Sequence, residues 1–308
     1  MRVTAVEPVA QRTVEILRVQ REEEVVAMDR LAVEAPLEIR VEGRPVAVVM
    51  RTPGHDRELA AGFLLSEGVV VSRDDVFEIS VCPGVREGEG GGGSGVVDVL
   101  VARPEAVDFD RLTRHVFTSS SCGLCGKAVV EEVLKVHPPL VPGASGDLRV
   151  AADLVTSLPE VLRREQAAFA ATGGLHASAI VDAEGRLRVL HEDVGRHNAL
   201  DKVLGACWLS GRWPLTDRIL VLSGRVSFEL VQKALVARLP VIVAISAPSS
   251  LAVAAAEAAG ITLCGFVRDG RMNIYSHPGR IVRSAIPAST SSAGRAKKVV
   301  PESAGPIR

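Results

Sequence analysis

A chain of 308 residues, 47% apolar and 24% charged, has the composition of a soluble globular protein and the length of about two domains, with a core that needs no disulfide staples. Thirty-six Lys and Arg balance 37 Asp and Glu, leaving a formal net charge of -1. That balance argues against nucleic acid or an anionic membrane as partner, and 3% aromatics leave few platforms for stacking bases. Arg supplies 30 of the basic residues and Lys only 6, so side chains suited to bidentate phosphate contacts are plentiful. The five cysteines are odd in number and include one close pair, Cys122 and Cys125, which is not a secreted disulfide framework. Met1 to Leu17 offers no apolar core of a signal peptide, so the expected compartment is a reducing cytoplasm.

Taken in chain order, the first two dozen residues end in Arg21-Glu22-Glu23-Glu24 and are expected to form a loose arm. Leu37 to Val41 and Pro45 to Met50 alternate as two strands across a Glu42-Gly43-Arg44 turn. Asp56 to Glu67 carries Leu59, Ala60, Phe63 and Leu64 at helical spacing, with Gly68 as the stop. Val76 to Val81 and Val96 to Ala102 follow as strands around the Gly88–Gly95 loop, which lacks the Lys-Ser/Thr of a phosphate loop. This first part is a small α+β unit. Beyond Arg111 the polar Thr118 to Lys127 stretch leads into a helix from Ala128 to Val136. Ser157-Leu158-Pro159-Glu160 has a capping-box pattern and predicts a helix opening there and running to Ala171. Leu175 to Val181 and Arg186 to Leu190 predict a hairpin. Helices near Asn198–Leu209, Ser227–Arg238 and Ser249–Ala259 then alternate with strands at Arg218–Leu222, Val241–Ile245 and Ile261–Phe266, and Met272–Tyr275 adds one more. The alternation predicts a layered α/β domain on a largely parallel sheet. The apolar Leu251 to Cys264 stretch is too short to span a bilayer and contains Glu257. From Pro287 the composition predicts a disordered tail.

Three features carry chemistry. Cys122-Gly123-Leu124-Cys125-Gly126 places two thiols on one turn before a helix N-terminus, where the helix dipole and free N–H groups favour a thiolate. Such a thiolate attacks a sulfur or carbon centre, and its neighbour resolves a disulfide or persulfide. A zinc half-site or a structural pair are the alternatives, although a four-cysteine site lacks its second pair. Cys82, Cys207 and Cys264 stand singly in apolar patterns, as core residues do. The second feature is a set of turns between strand ends and helix starts: Glu192 to Asn198, Ser223-Gly224-Arg225-Val226-Ser227, and Ser246 to Ser250. On a parallel sheet these turns share one edge, where helix N-termini and Arg side chains suit the phosphates of a nucleotide-like ligand; ordinary N-capping is the plainer account. His197 is the strongest candidate for proton work there, ahead of His176 and His191. The third is Phe266-Val267-Arg268-Asp269-Gly270-Arg271, two Arg residues around a turn, which could equally be a solvated hairpin.

Five stretches together, residues 120–126, 171–179, 192–202, 222–229 and 265–275, resemble the FdhD family, the accessory sulfurtransferases of formate dehydrogenase, from about Pro36 to Arg283. The resemblance implies a cytoplasmic homodimer that accepts a sulfane sulfur from a cysteine desulfurase. It passes this sulfur to the molybdenum (or tungsten) bis(molybdopterin guanine dinucleotide) cofactor, the bound acceptor, for the client formate dehydrogenase. It implies no permanent metal. Cys122 matches the family's persulfide cysteine, Cys125 the second cysteine of the pair, and Phe266 to Arg271 the cofactor-binding stretch. Ser223, Gly224, Arg225 and His197 join the cofactor site from the reading of the edge, with Arg225, Arg268 and Arg271 as phosphate contacts. The implied layout is a flexible arm (1–24), a small α+β roll domain (25–112), a cytidine-deaminase-like layered α/β domain carrying the cysteine pair (113–286), and the tail (287–308). Two other functions compete. One is a non-catalytic chaperone that binds the molybdenum cofactor. The other is a zinc deaminase, whose His-x-Glu and Pro-Cys-x-x-Cys motifs are not met, because His191 directly precedes Glu192 and Ser121 precedes Cys122.

Overall fold

The computed structural model describes residues 10–283 apart from 22, 83–94, 110–111, 113–125, 142 and 144–146, with the backbone alone at 126–129 and 132. Cys122 and Cys125, most of the Gly88–Gly95 loop and the 287–308 tail lie outside the described residues. The segment expected to be a loose arm instead enters a long antiparallel ribbon, β1 (Gln11–Gln20) and β2 (Glu23–Ala32). Its Val, Ile and Leu residues favour strands, and the charge run Glu22-Glu23-Glu24 masks that signal.

Four strands, β3 (Ala35–Val41), β4 (Arg44–Arg51), β5 (Val76–Cys82) and β6 (Gly95–Val101), form a sheet of order β4-β3-β6-β5 with β3 and β6 parallel at its centre. Period-2 alternation sends Leu37, Ile39, Val41, Val97 and Val99 into a core closed by helix α1 (Asp56–Ser66) through Leu59, Ala60 and Leu64. Cys82, expected in the core, is exposed at the end of β5. It belongs to the outward set of an edge strand whose inward residue is Ile79.

The rest of the chain runs α2 (Gly126–Val136), β7 (Val150–Ala151), α3 (Ala152–Glu165), α4 (Ala167–Thr172), β8 (His176–Val181), β9 (Leu187–Asp193), α5 (Arg196–Leu209), β10 (Ile219–Leu222), α6 (Phe228–Val236), β11 (Val241–Ala244), α7 (Ser250–Ala259), β12 (Thr262–Arg268), β13 (Arg271–Ser276) and β14 (Ile281–Val282). Six of these strands make a sheet of order β13-β12-β11-β10-β8-β9. The sheet is mixed rather than largely parallel. Only β10, β11 and β12 pair in parallel; β8 opposes β10, and β9 and β13 return by hairpins. Alternate residues face opposite layers. Ile180, Leu220, Leu222, Ile242 and Leu263 pack on α5, α6 and α7, while Ala179, Val221, Val243 and Cys264 pack on α3. Among the described residues no helix is long and apolar enough to cross a membrane.

Helix α3 departs from the capping-box expectation. It starts at Ala152 and carries Ser157 and Pro159 in its interior, with Ser157 Oγ donating to the Leu154 carbonyl at 2.8 Å. Val155, Leu158 and Leu162, spaced i, i+3, i+7, are buried against the sheet, and this packing outweighs the loss of one helical N–H at Pro159. The chain breaks at Gln166 and restarts as α4.

The two sheets are joined by α1 crossing α5 at backbone contact. A Cβ on Gly62 would lie 1.9 Å from the Asp201 carbonyl oxygen, and one on Gly205 would lie 1.9 Å from that of Glu58, so no other residue fits at either position.

Candidate functional site at the carboxyl edge of the six-stranded sheet

Because β10, β11 and β12 run in parallel, their carboxyl ends at Leu222, Ala244 and Arg268 share one edge. Antiparallel β8 enters the sheet there at His176, and β9 leaves it at Asp193. The turns are laced together rather than loose. Ser223 N donates to Ala177 O at 3.0 Å, Val226 N to Ala247 O at 3.0 Å, Ser249 N to Val226 O at 2.9 Å and Phe266 N to Ser246 O at 3.1 Å.

A cavity of about 820 Å³ opens at this edge on the α3 side. Its wall includes Arg163 of α3, Phe169 of α4, His176, Ser223, and the β12–β13 hairpin tip Arg268-Asp269-Gly270. The volume is that of a site for a small molecule or nucleotide. Ser223 Oγ accepts the Ala177 N–H at 2.8 Å, which fixes this turn on β8. A Cβ on Gly224 would approach His176 Nδ1 to 3.0 Å, so the absence of a side chain lets the turn pass the imidazole. Burial, then Arg196 and Arg225, lower the His176 pKa, so a neutral ring faces the cavity at neutral pH. Arg196 Nε is buried without a hydrogen-bond partner among the described residues.

The hairpin re-aims its residues through a bulge between Gly265 and Arg268. Phe266 sits there at φ 51°, a left-handed conformation that costs a bulky residue about 1–2 kcal/mol. Its ring is partly exposed, and the Arg268 guanidinium lies 5.9 Å from the ring centroid. Val267, expected to touch cofactor, is fully buried in the α3-side core because the bulge shifts the strand's alternation and turns it to the same side as Cys264. Arg271 is 70% exposed and reaches the wall residue Asp269 at 3.6 Å, but its own side chain is not part of the cavity wall.

His197 does not line the cavity either; it serves helix α6. Its Nε2 is 3.2 Å from Ser227 Oγ and 3.7 Å from Glu229 Oε2, and the Glu229 carboxyl is held down at about 2, chiefly by hydrogen bonding to His197. The neighbouring residues of the 192–202 stretch also turn inward. Asp193 and Lys202 form an ion pair at 2.7 Å, exposed by 0% and 1%. Thr52 ties the pair to the first sheet, its N–H donating to Asp193 at 3.1 Å and its carbonyl accepting from Lys202 at 2.8 Å. Asp201 accepts from Lys233 at 2.8 Å and from Ser66 Oγ at 3.0 Å. His191, half-buried, has its ring 4.1 Å from that of His55. Burial, His55 and Lys202 push its pKa down to about 3. Cys207 and Cys264 are buried as expected, and burial raises their thiols to about 11 and about 12.

Local sequence reasoning missed Arg163 and Phe169. Both reach the cavity only because α3 and α4 pack on the sheet, and no motif surrounds them. His176 ranked below His197 from sequence; the Gly173-Gly174 pair before it ends α4 and lines the cavity with it.

These features define a mixed α/β protein with a ligand-sized cavity at the strand carboxyl ends, the usual binding edge of such sheets. Its family follows from comparison with known proteins. The FdhD/NarQ family model matches residues 32–282, and the chain belongs to that family. It is 51% identical over 259 residues to the sulfur carrier protein FdhD of Mycobacterium tuberculosis, covering 82% of this chain and 92% of that one. It is 40% identical over 276 residues to the sulfur carrier protein FdhD of Sulfurisphaera tokodaii, covering 88% and 99%. The crystal structure of a candidate formate dehydrogenase accessory protein from Desulfotalea psychrophila superposes with a TM-score of 0.69 at 25% identity, covering 89% of this chain and all of that one.

Proposed function

We propose that this chain is a cytoplasmic, homodimeric sulfur carrier for formate dehydrogenase, with Cys122 as the carrier thiol and the molybdenum or tungsten bis(guanine dinucleotide) cofactor as acceptor. The Cys122 thiolate attacks the outer sulfur of a cysteine desulfurase persulfide. The new S–S bond forms as the donor's breaks, and the donor leaves as a thiolate. Cys125 then attacks the inner sulfur of the Cys122 persulfide. Hydrosulfide is expelled toward the acceptor, and the remaining Cys122–Cys125 disulfide is reopened by a thiol reductant. Family membership and the names of the relatives support the carrier role.

One observation carries the acceptor site: Ser223 and Arg268 to Gly270, far apart in sequence, line the same cavity of about 820 Å³. Arg163 and Arg268 supply cations for a diphosphate, and a neutral His176 supplies a hydrogen-bonding ring. A hairpin followed by three parallel strands with helices between them supports a deaminase-like layering of this part.

The test is the intact, non-reduced mass of wild type and Cys122→Ala after incubation with cysteine and a cysteine desulfurase, together with GDP binding by both proteins and by Arg268→Ala. The expected result is one added sulfur on wild type alone, removed by reductant, with GDP binding kept in Cys122→Ala and weakened at least about fivefold in Arg268→Ala. Reductant reversal separates a persulfide from irreversible sulfinic acid. No adduct on wild type, with GDP binding intact, would leave the non-catalytic chaperone as the function.

A further inference from the structure

The β1–β2 ribbon projects ten-residue strands whose outer edges pair with nothing among the described residues. Its register sorts the side chains into two faces. One carries Val14, Ile16, Ala27 and Asp29, all half-buried, and helix α4 lies against β2 near the ribbon's base. The other carries Leu17, Val19, Val26 and Met28, exposed by 59%, 60%, 64% and 62%. A two-stranded ribbon is marginal in water on its own, and a bare apolar face with open edges calls for further strands.

We propose that the missing strands are those of a second copy of this chain, with the two β2 edges pairing antiparallel about a twofold axis through Ala27. This deepens the homodimer within the proposed function by naming its contact surface, and it rests on that reading only for the expectation of a dimer. The charges on β2 favour self-pairing. A twofold axis normal to the sheet keeps each face on its own side and pairs residues whose numbers sum to twice the central one. Centred on Ala27, this sets Glu24 opposite Arg30 of the second copy and Arg30 opposite its Glu24. Val26 and Met28 meet across the seam in the same way, on the exposed face. Each pair extends a cross-strand row already present: Leu17 beside Val26, Glu15 beside Met28, and Thr13 beside Arg30. Shifting the centre by one residue to 26 places Glu23 opposite Asp29, two like charges, and shifting it to 28 sets Arg30 opposite Val26 and Glu24 opposite Ala32 with no ion pair, so of these three registers the one centred on Ala27 is favoured. The product is a four-stranded sheet with a continuous apolar stripe and ion pairs at its flanks.

The experiment is sedimentation equilibrium of the full chain as wild type, Glu24→Arg, and the charge swap Glu24→Arg/Arg30→Glu. Both positions are exposed, so the variants keep the fold. Wild type is expected to dimerise. Glu24→Arg sets Arg against Arg twice and weakens the dimer at least about tenfold, and the swap restores it to within about threefold of wild type. A monomeric wild type, or a dimer indifferent to Glu24→Arg, would overturn the proposal. A dimer broken by Glu24→Arg and not restored by the swap would overturn the register. The intact-mass assay for Cys122 persulfide, run on the same three proteins, reads the carrier function separately, because the ribbon variants leave the cysteine pair untouched.

Discussion

Replacing Lys202 by Met tests whether the 192–202 stretch is a structural clasp rather than part of the ligand edge. Lys202 Nζ touches Asp193 Oδ2 at 2.7 Å and the Thr52 carbonyl at 2.8 Å, and both charged side chains are essentially inaccessible to water. Burial pulls the Lys202 ammonium below its ordinary range and Asp193 works against that, so each charge is tolerated because of the other. Met fills similar space and removes the cation. Asp193 would keep the N–H groups of Thr52 at 3.1 Å and Gly195 at 2.8 Å and the Asn198 amide at 3.0 Å, but as a buried anion without a counter-charge. Breaking such a pair costs about 3–5 kcal/mol. Urea unfolding of wild type, Lys202→Met, Asp193→Asn and the double variant measures this. The double is expected to be less destabilised than the sum of the singles by at least about 1 kcal/mol, because it removes both charges. A loss under about 1 kcal/mol in Lys202→Met, or strict additivity in the double, would refute the clasp.

His191 sets a pH dependence whose sign follows from its depressed pKa. Between its ordinary 6.5 and about 3 the unfolded chain binds a proton that the folded protein refuses, so wild-type stability falls as pH drops through that window. His191→Gln should flatten the slope of urea midpoints over that window relative to wild type, and an unchanged slope would contradict the assignment. Gly205→Ala would drive a methyl into the Glu58 carbonyl oxygen, so urea unfolding should show a loss of at least about 1–3 kcal/mol, the usual cost of overpacking, and a loss below that range would contradict the close crossing of α1 and α5. In GDP titrations Arg163→Ala should weaken binding about as much as Arg268→Ala, while Arg271→Ala, whose side chain is 70% exposed and not itself part of the wall, should stay within about twofold of wild type. Equal losses for all three Arg variants would point to a diffuse electrostatic field instead of a cavity.

What the sequence made legible was what depends on neighbours in the chain. The alternation in Leu37–Val41 and the spacing of Leu59, Ala60, Phe63 and Leu64 announced a strand and a helix, and both form within a residue or two of expectation. The strand-to-helix alternation likewise placed the turns at Ser223 and Ser246 at one edge before any distance was known, because parallel strands leave them no alternative, whereas Arg268 joined the site only through the family resemblance. Features set by distant partners were hidden. Nothing near Asp193 or Lys202 indicates that Thr52 will reach both, and nothing near Arg163 indicates that α3 will survive an internal Pro159 to deliver it to the cavity. The 192–202 stretch shows why residue type alone misleads. Charged and amide residues beside a turn suit an anion site and a buried clasp equally well, and only the side they face distinguishes the two. Asp193 and Lys202 are sealed from solvent, Asn198 donates to Asp193 and to the Met50 carbonyl, and His197 is held by Ser227. The stretch therefore fixes the edge on which the cavity is built, and the cavity wall itself is made by His176, Ser223 and the hairpin tip beside it.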